Sequence, residues 1–201
     1  VAVDRDIAAS AYNPAGLAGF DGYGLSGYYR NTPFGDHIGK ATVALNAGFG
    51  RMAVNFDFTG VVFENSFKQG VASGGENYLN FQIGLAYQRD IVGGLSFGFG
   101  GRYISLDQGL EKASTFSGDI GLLYRVRAKA SRHRINLGVA MQNLGLDVKF
   151  SDSTESLPRS YVFGFQYTPH PIISLMSEGD ITKINGSHYS AFSAGLEMSV
   201  L

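Results

Sequence analysis

The sequence predicts an all-β protein: an antiparallel up-and-down transmembrane β-barrel with a short N-terminal plug segment. Two observations predict this fold. Apolar residues alternate with small or polar residues along most of the 201-residue chain, and no helix-period segment separates the alternating stretches. Because successive side chains of a strand point to opposite faces, alternation of period two indicates strands with one apolar and one polar face.

Composition narrows the function classes. The chain has 28 glycines, 15 phenylalanines and 11 tyrosines but no cysteine, which excludes disulfides and thiolate chemistry. Its four histidines are scattered, so we expect neither a His/Cys metal site nor a cofactor. A net charge of -1 argues against a nucleic-acid partner, because phosphate neutralisation needs an excess of lysine and arginine. Mean hydropathy is zero, as alternation would produce in a membrane β-barrel.

The chain divides into a predicted plug, residues 1–20, and predicted barrel strands, residues 21–201. The first part lacks alternation and contains Asn13, Pro14 and Gly16, a turn signal in which proline fixes φ and glycine permits a positive φ. We therefore predict a short helical or irregular segment ahead of the first strand.

The stretch INLGVAMQNLG, residues 135–145, shows the alternation best. Its first half places four apolar side chains on one face and small or polar side chains on the other. About ten such strands are predicted, the one beginning at Ile173 being weaker than the rest. The first apolar residues of these stretches are Tyr23, Val43, Met52, Leu79, Leu95, Ile120, Ile135, Tyr161, Ile173 and Phe192.

The connections are predicted from turn residues. Tight hairpins are expected at Gly50–Arg51 and Gly93–Gly94, and longer loops at residues 64–76, 108–114 and 151–160. The basic tract RAKASRHR, residues 127–134, joins two strands and is interpreted as a solvated turn.

The polar face favours a membrane barrel over a soluble one. It consists mostly of Gly, Ala, Ser, Asn and Gln, which would weaken the outer surface of a soluble barrel but suits a lumen filled by a plug. Closure would also remove the unpaired edges of such a sheet. Aromatic residues at strand ends are typical of membrane-interface girdles. These are Tyr87, Tyr103, Tyr124, Tyr161 and Tyr167.

Five motifs, in this order, carry a family resemblance. They are AYNPAGLA (11–18), GFGGRYI (98–104), SGDIGLLY (117–124), INLGVAMQNLG (135–145) and LPRSYVFGFQY (157–167). The set resembles the FadL-like outer-membrane barrels and, more closely, the PorV/PorQ family. The resemblance implies a barrel of fourteen strands in the bacterial outer membrane, of which this chain would be a piece. A complete barrel of ten strands is the alternative.

The resemblance also implies the function. PorV-type members are non-enzymatic components of the type IX protein secretion machinery that receive or shuttle exported proteins. The expected partners are outer-membrane lipid and larger secretion-pore or exported proteins. FadL-type relatives instead admit hydrophobic compounds such as long-chain fatty acids, which makes a bound lipid or fatty acid the alternative. A water-filled pore is disfavoured by the plug and by the few charges on the lumen face.

Two groups of candidate site residues follow. By resemblance, Asn13, Pro14, Ala15, Gly16 and Leu17 belong to the plug and form a candidate ligand gate, the alternative being a turn that only anchors the plug to the wall. On the predicted lumen face, charged side chains are expected to pair, since isolated charges there would be costly. These are Asp57, Arg102, Asp119 and Arg125.

Enzymatic activity is not expected. A hydrolytic site needs a nucleophile, a base within hydrogen-bond reach and an orienting partner. The four histidines, His37, His133, His170 and His188, fall in predicted loops or strand ends and belong to no recognisable catalytic motif. No phosphate-binding loop or dinucleotide fingerprint is present either.

Overall fold

The computed structural model describes residues 2–3, 6–31, 36–62, 67–68, 71–72, 77–107, 111–127, 133–151 and 153–198. These residues form one ten-stranded antiparallel sheet and two small two-stranded sheets. The predicted all-β class and up-and-down antiparallel order are therefore confirmed. Within the described residues, the only helices are two short 3₁₀ turns, neither of them long and apolar enough to cross a membrane.

The elements follow one another along the chain with short links. The two 3₁₀ helices are Ile7–Ala11 and Pro14–Leu17. The strands are β1 (Tyr23–Asn31), β2 (Asp36–Asn46), β3 (Arg51–Val62), β4 (Phe67–Lys68), β5 (Val71–Ala72), β6 (Asn77–Val92), β7 (Leu95–Asp107), β8 (Lys112–Arg127), β9 (Arg134–Gly145), β10 (Val148–Lys149), β11 (Thr154–Glu155), β12 (Arg159–His170), β13 (Ile173–Ile184) and β14 (Ser187–Met198).

Each long strand pairs with its neighbour along the chain. The order of the large sheet is β1-β2-β3-β6-β7-β8-β9-β12-β13-β14, and the pairs β4–β5 and β10–β11 lie within two of the longer connections. Two-residue turns with positive φ join β6 to β7, at Gly93 (59°) and Gly94 (91°), and β13 to β14, at Asn185 (48°) and Gly186 (85°). Positive φ at both central residues matches the right-handed twist of the flanking strands.

The structure corrects four predictions about strands and loops. Strand β8 begins at Lys112, inside the predicted loop 108–114, and β12 begins at Arg159, inside the predicted loop 151–160. The stretch from Ile173 is not a weak strand, because β13 has 12 residues paired on both sides. The predicted loop 64–76 contains β4 and β5. Most of the basic tract, residues 128–132, lies outside the described residues.

The two faces of the sheet differ in size and polarity. We call the face covered by residues 6–20 the inner face and the opposite one the outer face. Large apolar side chains of the outer face are exposed, as in Phe56 at 44 %, while small or polar inner-face side chains are buried, as in Asn55 at 5 %. This is the reverse of a soluble barrel, whose large apolar side chains point inward.

The ends of the sheet differ from its middle. All 12 residues of β14 are exposed, on both faces. No described residue pairs β1 with β14, so the ten strands are observed as an open sheet.

Candidate functional site

The N-terminal segment lies on the inner face, against β1–β3 and β6–β8. Its centre is the NPAG turn, which we define as Asn13, Pro14, Ala15 and Gly16. Asn13 has an extended backbone, and its Oδ1 accepts a hydrogen bond from the Ala15 amide at 3.0 Å, which caps the second 3₁₀ helix. Pro14 takes the first helical position, where its missing N–H costs nothing. The Asn-Pro pair thus starts the helix locally.

The NPAG turn contacts the sheet at two glycines. Gly98 of β7 and Gly121 of β8 are cross-strand partners on the inner face. A Cβ atom on Gly98 would overlap Pro14 and Ala15, and one on Gly121 would overlap the Asn13 side chain. The Asn13 amide donates a hydrogen bond to the backbone oxygen of Leu122 at 3.3 Å. The turn therefore packs directly against the backbone of β7 and β8.

A belt of small residues surrounds this contact. Alanines of β2, β3 and β6, namely Ala44, Ala53 and Ala86, pack around Ile7 and Leu17 of the N-terminal segment. On β8, Leu123 packs against Ala15 and Ala18 in a second buried cluster. Small inner-face side chains thus provide the space that the N-terminal segment fills.

Hydrogen bonds attach the rest of the segment to the wall. Ser10 donates to the Asn55 Oδ1 at 3.1 Å, and the Lys40 ammonium donates to the Tyr12 hydroxyl at 2.8 Å. The side chain of Gln142 donates to the Tyr12 carbonyl, and Arg51 Nε donates to the carbonyl of Phe20. These contacts come from β2, β3 and β9, so the segment is attached to strands on both sides of β6–β8.

Arg102 and Asp119, both predicted as lumen charges, contact each other. Arg102 Nη2 lies 2.7 Å from Asp119 Oδ1 and also donates to Asn143 Oδ1 at 3.0 Å. The backbone N–H of Asn143 donates to the same carboxylate oxygen at 2.9 Å. The β8–β9 register shifts between Gly118 and Ile120, and Asn143 has a φ of 59°. A β-bulge thus builds this ion pair.

Asn143 offers a small, specific test of that bulge. Because left-handed φ disfavours a Cβ, Asn143→Ala is expected to lower the free energy of unfolding by about 1 kcal/mol more than Asn143→Gly. Both variants lose the amide and its bond to the carbonyl of Pro158, so their difference isolates the backbone effect. Urea unfolding followed by circular dichroism measures it. Equal stability would contradict the interpretation.

Asp57 and Arg125, the other two predicted lumen charges, have partners that the sequence analysis did not identify. Asp57 lies 3.6 Å from the Lys40 ammonium. Arg125 lies 2.7 Å from Asp90, which also contacts Arg51 at 2.9 Å. The sequence analysis did not include Asp90 among the candidate charges because it lies near the end of a strand. Asp90 is two residues from Gln88, however, so the alternation already predicts that both side chains lie on the same face.

We call Arg51, Asp90 and Arg125, with Gln88 and Ser96, the basal cluster, since it lies at the end of the sheet where the short β2–β3 and β6–β7 turns are. Asp90 Oδ1 accepts hydrogen bonds from Ser96 at 2.6 Å and from Gln88 at 3.0 Å. Four polar side chains, one from each of four strands, thereby meet at the Asp90 carboxylate. The cluster links β3, β6, β7 and β8, and it lies between the NPAG turn and the β6–β7 connection.

The site holds the N-terminal segment against the inner face of the sheet. Among the described residues, no group of three or more His, Cys, Asp or Glu side chains is placed to hold a metal ion. Between the first 3₁₀ helix and β1–β3 lies a cavity of about 260 Å³ lined by Tyr12, Tyr28, Lys40 and Asp57, among others. No known family matches this chain, and no curated protein is detectably similar to it.

Proposed function

We propose that this chain forms the wall of an outer-membrane β-barrel and acts as a non-enzymatic component or shuttle partner of a type IX-like protein secretion machinery. The observation that carries the proposal is the inverted polarity of the sheet. Large apolar side chains lie on the exposed outer face, while small and polar side chains lie under the N-terminal segment. Lipid is the solvent in which such an outer face is stable.

The height of the apolar face fits a bilayer. Along β8, exposed outer-face apolar residues run from Phe116 to Val126, ten residue steps. At about 3.4 Å per step this is roughly 34 Å along the strand. A tilt of about 40° shortens it to roughly 26 Å, close to the ~25 Å apolar band of outer-membrane barrels.

The unpaired edges fit a larger barrel. Strands β1 and β14 are the two edges of the observed sheet, and β14 is exposed on both faces. Exposed edges favour pairing with further strands. A closed barrel of fourteen strands, as the family resemblance implies, would satisfy both edges and cover the inner face of β14.

The plug favours a partner protein over an open pore. The NPAG turn lies directly on Gly98 and Gly121, and hydrogen bonds from β2, β3 and β9 hold the segment in place. A wall occluded in this way works through the contacts of its loops and rim. The five motifs in PorV/PorQ order supply the specific expectation that its partners are a secretion pore and exported proteins.

The 260 Å³ cavity favours a second candidate function, FadL-like transport of hydrophobic compounds. Lys40 contributes an ammonium group to this cavity beside Tyr12 and Tyr28. A fatty-acid carboxylate would find a cation there, in competition with Asp57, which lies 3.6 Å from that ammonium.

The two functions predict different native particles. After gentle detergent extraction of the outer membrane, size-exclusion chromatography with mass spectrometry is expected to find the chain in a much larger assembly with a secretion pore or exported proteins. A lone barrel carrying fatty acid would replace this proposal with the transport function. Recovery of the chain outside the membrane fraction would overturn both.

A further inference from the structure

An apolar groove of about 780 Å³ crosses the outer face of β6 and β7. Its walls are two aromatic pairs: Tyr87 with Phe99, ring centroids 5.3 Å apart, and Tyr103 with Phe116, 5.2 Å apart. Between them on β7 lies Gly101. Phe99, Gly101 and Tyr103 are alternate residues of one strand, so the groove is a notch left by a missing side chain.

Among the described residues, no contact accounts for a glycine at position 101. A Cβ atom there would meet only the Ser117 carbonyl oxygen at 3.9 Å, and its cross-strand partner Gly118 also leaves room for one, with nearest atoms at 3.5 Å. Neither residue has a positive φ. Gly98 and Gly121, by contrast, are needed by the NPAG turn. A glycine within a strand is less favourable than alanine and often marks the close approach of a ligand.

The groove is suited to a narrow, apolar occupant. The β7 backbone pairs with both β6 and β8 around Gly101, so its polar groups are used in the sheet and no edge is open to an added strand. A polar occupant would lose hydration without compensation. Phe99 and Tyr103 are four residues apart, about 13 Å between Cα atoms, and their rings fill part of that space. The remaining width is too small for a helix of about 10–12 Å.

We infer that this groove binds one acyl chain of an outer-membrane lipid, lying between the two aromatic pairs against Gly101. The groove is continuous with the apolar outer face that we propose to face lipid, so an acyl chain reaches it without leaving the bilayer. The inference rests on that part of the proposed function. It adds a fixed lipid position to a wall that otherwise contacts lipid without preference.

The test uses the full chain in vesicles of phosphatidylethanolamine doped with an analogue carrying a photoactivatable diazirine on its acyl chain. After illumination, mass spectrometry locates the cross-linked residues. Cross-links are expected to be several-fold more frequent on Leu85, Gly101 and Tyr103 than on the equally outward Val139. Gly101→Leu should reduce them to the level at Val139. The matched control is Gly179→Leu, an outer-face glycine of β13 with equal room for a Cβ.

The possible results distinguish the lipid site from the lipid-facing wall on which it depends. Even cross-linking over the whole outer face, or no loss in Gly101→Leu, would overturn the lipid site and leave the lipid-facing wall intact. An absence of cross-links at every outer-face residue, Val139 included, would overturn the proposed membrane wall and the lipid site with it. A heat-dependent shift in electrophoretic mobility verifies that each variant is folded.

Discussion

Replacement of Gly98 by valine is expected to displace the NPAG turn from the sheet and to uncover part of its inner face. The added side chain would occupy the space of Pro14 and Ala15, which are themselves buried. Overpacking of this kind costs about 1–3 kcal/mol. The ten strands pair with one another through their backbones, so we expect displacement of the segment to relieve the overlap at lower cost than distortion of the sheet.

Cysteine labelling measures this displacement, because the chain has no cysteine of its own. Leu17 is fully buried between the N-terminal segment and the wall. In a Leu17→Cys background, a membrane-impermeant maleimide should react slowly, and adding Gly98→Val should raise the rate by an order of magnitude or more. If the barrel is closed, as proposed, ion conductance in planar bilayers should rise as well.

Gly101→Val is the matched control for this prediction. Gly101 lies on the same strand as Gly98 but on the outer face, where a Cβ would meet nothing closer than 3.9 Å. In the same Leu17→Cys background it should leave the labelling rate of the introduced thiol unchanged, although it adds the same side chain to the same strand. Equal labelling of the two double variants would show that the position of the NPAG turn does not depend on the space left by Gly98.

The sequence was most informative where structure is determined locally. Strand alternation predicted ten long strands, and the ten-stranded sheet contains them. The Asn13–Pro14 signal predicted a turn, and both residues begin the second 3₁₀ helix. The small residues of the polar face were predicted to leave room on one side of the sheet, and the N-terminal segment covers Ala53 and Gly121 there.

What the sequence did not reveal depends on register. Asp57 and Lys40 are cross-strand partners, and only the β2–β3 pairing brings them together. The bulge at Asn143 shifts register by one residue and places a backbone amide on Asp119. No local pattern announces either contact, because period-two alternation is unchanged by which strand pairs with which and by a single inserted residue.

Asp90→Asn is expected to lower the free energy of unfolding by about 1.5–2 kcal/mol. The Asp90 side chain is 45 % exposed, so solvent screening keeps its charged hydrogen bonds in the lower part of their usual range of about 1.5–3 kcal/mol. Asp90 accepts from Arg51 and Arg125, whose side chains are only 14 % and 10 % exposed. Arg125 Nε is already buried without a partner among the described residues. Loss of the shared carboxylate would therefore leave two poorly hydrated guanidinium groups without their common counter-charge.

Asp57→Asn is the matched control. It also removes an inner-face carboxylate of the sheet, but among the described residues Asp57 has a single, longer ion pair. Its partner Lys40 is 40 % exposed and 3.6 Å away, and such a pair contributes less than about 1 kcal/mol. Urea unfolding of both variants in the same detergent, followed by circular dichroism, should give a clearly lower midpoint for Asp90→Asn. Equal midpoints would mean that solvent already screens the basal cluster. A larger loss in Asp57→Asn would reverse the ranking of the two sites.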